Sequence, residues 1–304
     1  MNNIVVLGSM NMDMVLDVEQ YPKEGETILA RSMEKIPGGK GANQAVAASR
    51  LGSNVFMIAK IGMDENGEIL LANLKKDNIN IENVYIDKVN PTGNAIITIN
   101  KSGNNSIIVV SGSNMKITSK DLDKAKKVID SDKDIMVSQF ETPIDITVKA
   151  FKLAKEKNII TILNPAPAHK VPKELLENVD IIVPNETEFL KITGVEINNT
   201  QDARVGCENL FNKGVKYVIV TLGEKGSMIL SKQKEELIPA KKVKAIDTTA
   251  AGDSFIGALA SKIDAKNLNF DNLKSAVEFS SEVSSIVVTK KGAQFSIPYL
   301  KDIK

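Results

Sequence analysis

The chain has no tryptophan, one cysteine and one histidine among its 304 residues. Each shortage removes a class of chemistry. A lone thiol, Cys207, forms no internal disulfide, which fits a cytoplasmic location. A catalytic thiol needs a positioned base, and the one histidine, His169, is far away in sequence. Cys207 is therefore expected to be a small core residue on a helix, and His169 an ordinary loop residue. The same scarcity argues against a structural zinc site and against a Ser-His-Asp hydrolase. No apolar run approaches the ~20 residues that a membrane span requires. No basic stretch followed by a long apolar one opens the chain, so a signal peptide is not expected. There is no polybasic tract either: 39 basic and 38 acidic residues are interspersed and the net charge is +1. The expected partner is a small molecule rather than nucleic acid.

What is present is an alternation. With 42% hydrophobic residues the chain is long enough to bury a substantial core. Short runs rich in Ile and Val recur at 4–7, 55–59, 135–137, 159–163, 181–183 and 217–220. They are apolar at successive positions, as strands covered on both faces are. Helical segments lie between them. Residues 41–51 are rich in alanine and stop at Gly52. Residues 143–157 follow Thr142, an expected N-cap, with Pro143 at the first helical position. This is an α/β pattern. It predicts a mostly parallel central sheet with helices on both faces, in a single domain over residues 1–304. Residues 12–18 with 27–36, and 92–100 with 106–111, break the rhythm and read as paired strands. They predict a small β-sheet lid drawn from about 12–37 and 91–111.

Five segments carry candidate chemistry. Asp247-Thr248-Thr249-Ala250-Ala251-Gly252-Asp253 leads from a strand end into a helix that begins with small residues. The first amides of a helix have no intrahelical acceptor. A phosphate can approach them at Ala250, Ala251 and Gly252, and Asp253 can then take the proton of an attacking hydroxyl. A purely electrostatic role for Asp253 at the helix terminus is the plainer reading. The second segment is Gly38-Gly39-Lys40-Gly41-Ala42-Asn43-Gln44. It is not a phosphate-binding P-loop, because Gly41 follows the lysine and Lys35 stands where the loop's first glycine belongs. Lys40 and Asn43 at a helix start can instead bind hydroxyls, unless this is only a flexible loop. Third, Asn11-Met12-Asp13 follows the first strand, where ligands of α/β sheets collect, although turns often carry the same residues. Fourth, Asn185 and Glu188 can serve phosphate and hydrated magnesium, or merely cap a helix. Fifth, Thr221-Leu222-Gly223-Glu224-Lys225-Gly226 leaves room for a nucleotide, or forms an ordinary hairpin turn.

In this order, the segments resemble the ribokinase family of carbohydrate kinases over nearly the whole chain, from Gly8 to Gln294. Gly38 through Ala45 resembles its glycine-rich sugar signature, and Asp247 through Asp253 its C-terminal signature. Asn164-Pro165-Ala166-Pro167-Ala168 and the 184–188 segment are more similar to its ribose-specific branch than to its fructose or nucleoside kinases. The resemblance implies transfer of a phosphoryl group from ATP to a sugar, with Mg2+ and an activating monovalent cation, K+. It implies Asp253 as base and the backbone of Ala250, Ala251 and Gly252 as anion hole. Asn11, Asp13, Gly39, Lys40, Gly41, Ala42, Asn43 and Glu141 would hold the sugar. Asn185, Thr221, Leu222, Gly223, Glu224, Lys225, Gly226, Gly252 and Ser281 would contact ATP, with Glu188 helping to place magnesium. Oxygens of Asp247, Thr249, Val287, Lys290, Gly292 and Ser296 would ligate the monovalent cation. Ser281 and the Gly112-Ser113-Asn114 turn depart from the family pattern. With no aromatic beside Asn11 or the 38–43 loop, a sugar is the expected acceptor ahead of a nucleoside. A kinase for deoxyribose or fructose, or a sugar sensor without activity, is the alternative. A homodimer paired through the lid is expected.

Overall fold

The computed structural model describes residues 1–130 and 132–303. The chain opens with β1 (Asn3–Leu7), β2 (Asn11–Val18) and β3 (Ala30–Gly38), then α1 (Lys40–Arg50), β4 (Asn54–Gly62), α2 (Glu65–Lys76) and β5 (Asn80–Asp87). Next come β6 (Gly93–Ile99), β7 (Asn105–Val110), α3 (Ser119–Ala125), β8 (Ile135–Ser138), α4 (Ile144–Glu156), β9 (Ile160–Leu163), α5 (Lys173–Leu176), β10 (Ile181–Ile182), α6 (Glu186–Thr193) and α7 (Thr200–Asn212). The last part holds β11 (Tyr217–Thr221), β12 (Ser227–Leu230), β13 (Glu235–Ile238), α8 (Ala251–Lys262), α9 (Phe270–Val287) and α10 (Ala293–Ser296).

Nine strands form the main sheet in the order β13-β12-β11-β10-β9-β8-β1-β4-β5. All its pairings are parallel except those of the terminal hairpin, β11 with β12 and β12 with β13. The apolar runs become the inner strands for a simple reason. Along β1, Ile4 and Val6 face one core, which contains α1, α2, α8 and α9 residues such as Val46, Leu70, Leu259 and Val277. Val5 and Leu7 face the other, with Phe151, Leu175, Phe189 and Cys207 of α4 to α7. Successive side chains point to opposite faces, so burial on both faces demands apolar residues at every position.

Thr142 does not cap α4. The N-cap position falls on Pro143, without a side-chain cap, and Thr142 Oγ1 is buried with no partner. Burial pushes the Cys207 thiol up to about 12, in line with an inert core residue. His169 is exposed, its ring edge-on to Phe140.

The lid is a separate four-stranded sheet, β3-β2-β6-β7. β2 pairs antiparallel with β3, β6 antiparallel with β7, and β2 runs parallel to β6 to join the two pairs. Every residue of β7 is exposed, including Ile107 and Ile108.

Helices α1 and α8 pack closely because small residues meet where they touch. A methyl group added at Gly257 would lie 2.5 Å from Ala47 Cβ and 2.6 Å from the Gln44 carbonyl. Ala45 and Ala48 of α1 and Ala258 of α8 are fully buried in the same core. This contact sets how far apart the two segments richest in candidate chemistry can stand.

Candidate active site

The candidate residues collect beyond the carboxyl ends of the parallel strands. Ser9 and Asn11 follow β1, Gln139 and Glu141 follow β8, Asn164 follows β9, Asn185 follows β10 and Thr221 ends β11. That is where an open α/β sheet presents its loops to a ligand.

Asp253 lies in the first turn of α8. Ala250 precedes the helix in a left-handed conformation, with φ of 59°. The Ala251 amide turns back onto the Thr248 carbonyl at 3.2 Å. Of the three residues expected to form the anion hole, Ala250, Ala251 and Gly252, only Ala251 has its amide turned inward in this way. The neighbouring amides of Ala250, Gly252 and Asp253 donate to no protein acceptor. Gly252 is exposed, so an anion can reach the helix mouth.

The Asp253 carboxylate is 8% exposed and each of its oxygens receives an amide. Asn43 Nδ2 donates to Oδ2 at 3.0 Å, and Gln44 Nε2 to Oδ1 at 3.0 Å. Both donors sit in the second turn-forming positions of α1, whose N-cap is Gly39. Gly39 has φ of 89° and a side chain there would strike the backbone of Met10 and Asn11, so only glycine allows the entry into the helix. Gly41 and Ala42 support the same turn, and the Ala42 amide donates to the Ser9 carbonyl at 2.9 Å.

Lys40 faces the acidic cluster. Attraction to Asp253, and then to Glu141, Glu188 and Asp13, raises its ammonium above the usual lysine range, although burial opposes this. Asp13 is pushed to about 7, first by burial and then by repulsion from Glu141 and Asp253, with Lys40 pulling the other way. Glu141 accepts from Ser9 Oγ and from the Lys40 amide. Asn11 is held by Asn114, whose Nδ2 donates to Asn11 Oδ1 at 2.7 Å. Asn114 also brackets the Met10 backbone, accepting from its amide and donating to its carbonyl. In the Gly112-Ser113-Asn114 turn, Ser113 Oγ donates to the backbone carbonyls of Asn90 and Pro91. Its hydroxyl thus serves the turn rather than a ligand.

Asn185 and Glu188 do form a capping box at the start of α6. Asn185 N and Nδ2 donate to the Glu188 carboxylate at 2.9 and 3.1 Å. Burial, ahead of the lowering effect of those bonds, raises the Glu188 carboxyl. Asn185 pairs with Thr221, so this cap and the 221–226 loop lie side by side. That loop is also the turn between β11 and β12, with Gly223, Glu224 and Lys225 in a short 3-10 turn, so the hairpin reading holds as well. Leu222 is buried beneath it, and the Leu222 amide donates to the Gly226 carbonyl at 2.8 Å. Ser281 lies on α9 with its Oγ buried and unpartnered.

The proposed cation ligands fall on the loop before α8, with Asp247 and Thr249, and on the segment from the end of α9 at Val287 to the end of α10 at Ser296. Asp247 accepts from Thr249 N, Thr249 Oγ1 and Gly292 N. Burial raises its carboxyl, but those bonds outweigh it and the net shift is down. The Val287 carbonyl accepts from the Lys290 amide, and Ser296 Oγ donates to the Ala293 carbonyl. Among the described residues no group of three His, Cys, Asp or Glu side chains is placed to hold a metal. One carboxylate among carbonyls and hydroxyls suits a weakly held monovalent ion better than a divalent one.

The sequence assigned no site role to Ser9, Gln139 or Gln294, and marked Asn114 only through the Gly112-Ser113-Asn114 turn. Position beyond a parallel strand was an available signal for Ser9 and Gln139. Asn114 and Gln294 stand in segments of the resemblance, but nothing local gives either side chain its partner.

Comparison with known proteins agrees with this geometry. The chain is 42% identical over 98% of its length to a bifunctional ribokinase/ribose-5-phosphate isomerase A of Fructilactobacillus sanfranciscensis, of which it spans 55%. It is 42% identical to a ribokinase of Staphylococcus aureus, covering 99% of this chain and 98% of that one. The structure of Arabidopsis thaliana ribokinase complexed with ribose and ATP superposes with a TM-score of 0.91 at 31% identity, over 99% of this chain and 97% of that one. The family model described as pfkB family carbohydrate kinase matches residues 1–300, and the chain belongs to that family.

Proposed function

We propose that this kinase transfers the γ-phosphoryl group of ATP to the 5-hydroxyl of ribose, with Asp253 as general base. The observation that carries the reading is the placement of Asp253. It stands in the same helical turn as amides that lack an acceptor, held by two neutral amide side chains and facing Lys40. A carboxylate so placed can take the acceptor's proton while the helix mouth receives the transferring group. Asp13, Glu141, Asn11 and Asn43 offer a sugar several hydroxyl partners, and a carboxylate can accept two hydroxyls at once. ATP would lie along Asn185 and the 221–226 loop, with its adenine toward Ser281.

Magnesium, placed through water by Glu188, would neutralise phosphate charge when bound. A potassium ion among Asp247, Thr249, Gly292 and the 287–290 carbonyls would steady the loop that leads into α8. The residues fit both ions in donor chemistry. The lid, rooted at Asn11 and Asp13, would exclude water and so suppress ATP hydrolysis. Its exposed apolar strand β7 supports pairing with a second copy, giving a homodimer. No helix among the described residues is long and apolar enough to cross a membrane, and the absence of disulfides suits the cytoplasm. The test is a panel of ribose, deoxyribose, fructose and adenosine as acceptors, read as ADP release. Ribose is expected to give the highest kcat/KM. A far higher value for fructose or adenosine would refute the substrate assignment.

A further inference from the structure

We infer that Gln44 and Gln139 are positioning residues for the catalytic carboxylate, acting in series. The inference rests on the reading of Asp253 as base and extends it to side chains that touch no substrate.

Gln44 is 1% exposed and Gln139 fully buried. Gln139 Nε2 donates to Gln44 Oε1 at 2.6 Å. With its oxygen so engaged, the Gln44 amide must present its NH2 on the other side. That group donates to Asp253 Oδ1 at 3.0 Å and to Asn164 Oδ1 at 3.2 Å. Asn164 is itself turned by donating to the Val183 carbonyl at 3.2 Å. On the second oxygen, Asn43 donates to Asp253 while its own Oδ1 accepts from Gln294 Nε2 at 3.1 Å. Each oxygen of the base is thus gripped by an amide whose orientation another amide dictates.

Two features argue that the Gln139 arm serves the site rather than stability alone. Gln139 Oε1 is buried with no hydrogen-bond partner. An orphaned buried acceptor is costly, and an apolar side chain would avoid it. Gly8 is bare beside both this amide and the start of α1: a methyl there would stand 2.2 Å from Gln139 Oε1 and 2.7 Å from the Gly41 α-carbon, so the amide has little room to turn. The useful part of Gln139 is therefore the donor it places on Gln44. Amides suit this task because they are neutral: they fix the carboxylate without cancelling the charge that makes it a base. Two remaining lone pairs stay open to the acceptor hydroxyl.

The test uses the full chain with ribose and ATP as substrates. Gln44→Met, Gln139→Met and the double variant are compared in kcat, both KM values and melting temperature. Loss of a hydrogen bond to a charged group predicts a fall in kcat of about ten- to hundredfold for Gln44→Met, with both KM values within about threefold of the parent. Gln139→Met should lower kcat by a smaller factor. The double variant should match Gln44→Met within about twofold, because Gln139 acts only through Gln44. Losses that multiply would overturn the series arrangement. A kcat within about twofold of the parent in Gln44→Met, or a raised KM with unchanged kcat, would overturn the positioning role. Should Gln44→Met fail to fold, Gln139→Met alone decides, since that side chain contacts neither Asp253 nor substrate: lowered kcat with unchanged KM supports the inference and unchanged kcat overturns it. Asp253→Asn run alongside separates the two readings. Turnover that survives in Asp253→Asn removes the base itself, whereas an inactive Asp253→Asn beside a fully active Gln44→Met removes only the amides.

Discussion

Gly38 and Asp13 stand diagonally across the β2–β3 ladder, two residues off register, and the bare α-carbon of Gly38 leaves room for the Asp13 carboxylate. A methyl group at Gly38 would stand 2.3 Å from Asp13 Oδ2. Gly38→Ala must therefore turn this carboxylate out of its place. The expected result is a sugar affinity lowered about tenfold or more, the scale of one lost hydrogen bond to a charged group. ATP affinity should change little. Calorimetric titration with each ligand separately checks both halves.

The raised carboxyl of Asp13 makes a pH signature. Its value moves from 3.8 to about 7 on folding. Between those limits the folded chain keeps a proton that the unfolded chain has lost, so stability falls as pH rises across that window and levels off above it. Asp13→Asn should remove this slope and be the more stable protein above pH 7. Urea unfolding at a series of pH values reads it. Sugar hydroxyls need the ionised acceptor, so wild-type affinity should strengthen as pH rises through 7, with proton release visible in calorimetry below it.

Asp253→Asn keeps the shape of the site and removes the proposed base. We expect kcat to drop by at least about a hundredfold, the lower end for general-base loss, while ATP still binds. Near-parental turnover in steady-state assays would reject the assignment.

Exchanging potassium for tetramethylammonium at constant ionic strength should depress kcat, because that ion is too large to be ringed by Asp247, Thr249 and the 287–292 carbonyls. Equal rates in the two salts would count against a cation site in these loops.

Far from the ligands, Arg50 and Asp77 form an ion pair at 2.8 Å in which the carboxylate side chain is 1% exposed. Arg50 also donates to the carbonyls of Gln294 and Ile297, pinning the C-terminal segment. Asp77→Ala strands this cation, and breaking a buried pair typically costs about 3–5 kcal/mol. Urea titration followed by circular dichroism measures the loss.

Much of this was legible in the sequence because the signals are local. Ile4 to Leu7 are apolar without interruption, and only a strand covered on both faces needs that. Asp247 to Asp253 and Gly38 to Gln44 announce helix entries with small residues, and both became helix starts. The sheet edges were not legible. Asn80–Asp87 and Glu235–Ile238 mix polar and apolar residues because one side of an edge strand faces water, so neither resembles the inner runs. Thr142 looked like a cap because Pro143 follows it, yet tertiary packing buried its hydroxyl instead. The partners of Gln139, Asn164 and Gln294 were not legible for another reason. They lie 95, 120 and 251 positions away, and no short window contains both ends of such a bond.

The bare flank of Gly257 has a bearing on how this enzyme fails. The proposed base rides on α8 and the amides that hold it ride on α1, so the spacing of the two helices governs those hydrogen bonds. A bulkier residue at Gly257 would meet Ala47 and the Gln44 carbonyl and push the carboxylate's helix away from the amides that hold it. A change made at this crossing, remote from any ligand, would thus act on turnover through the aim of Asp253.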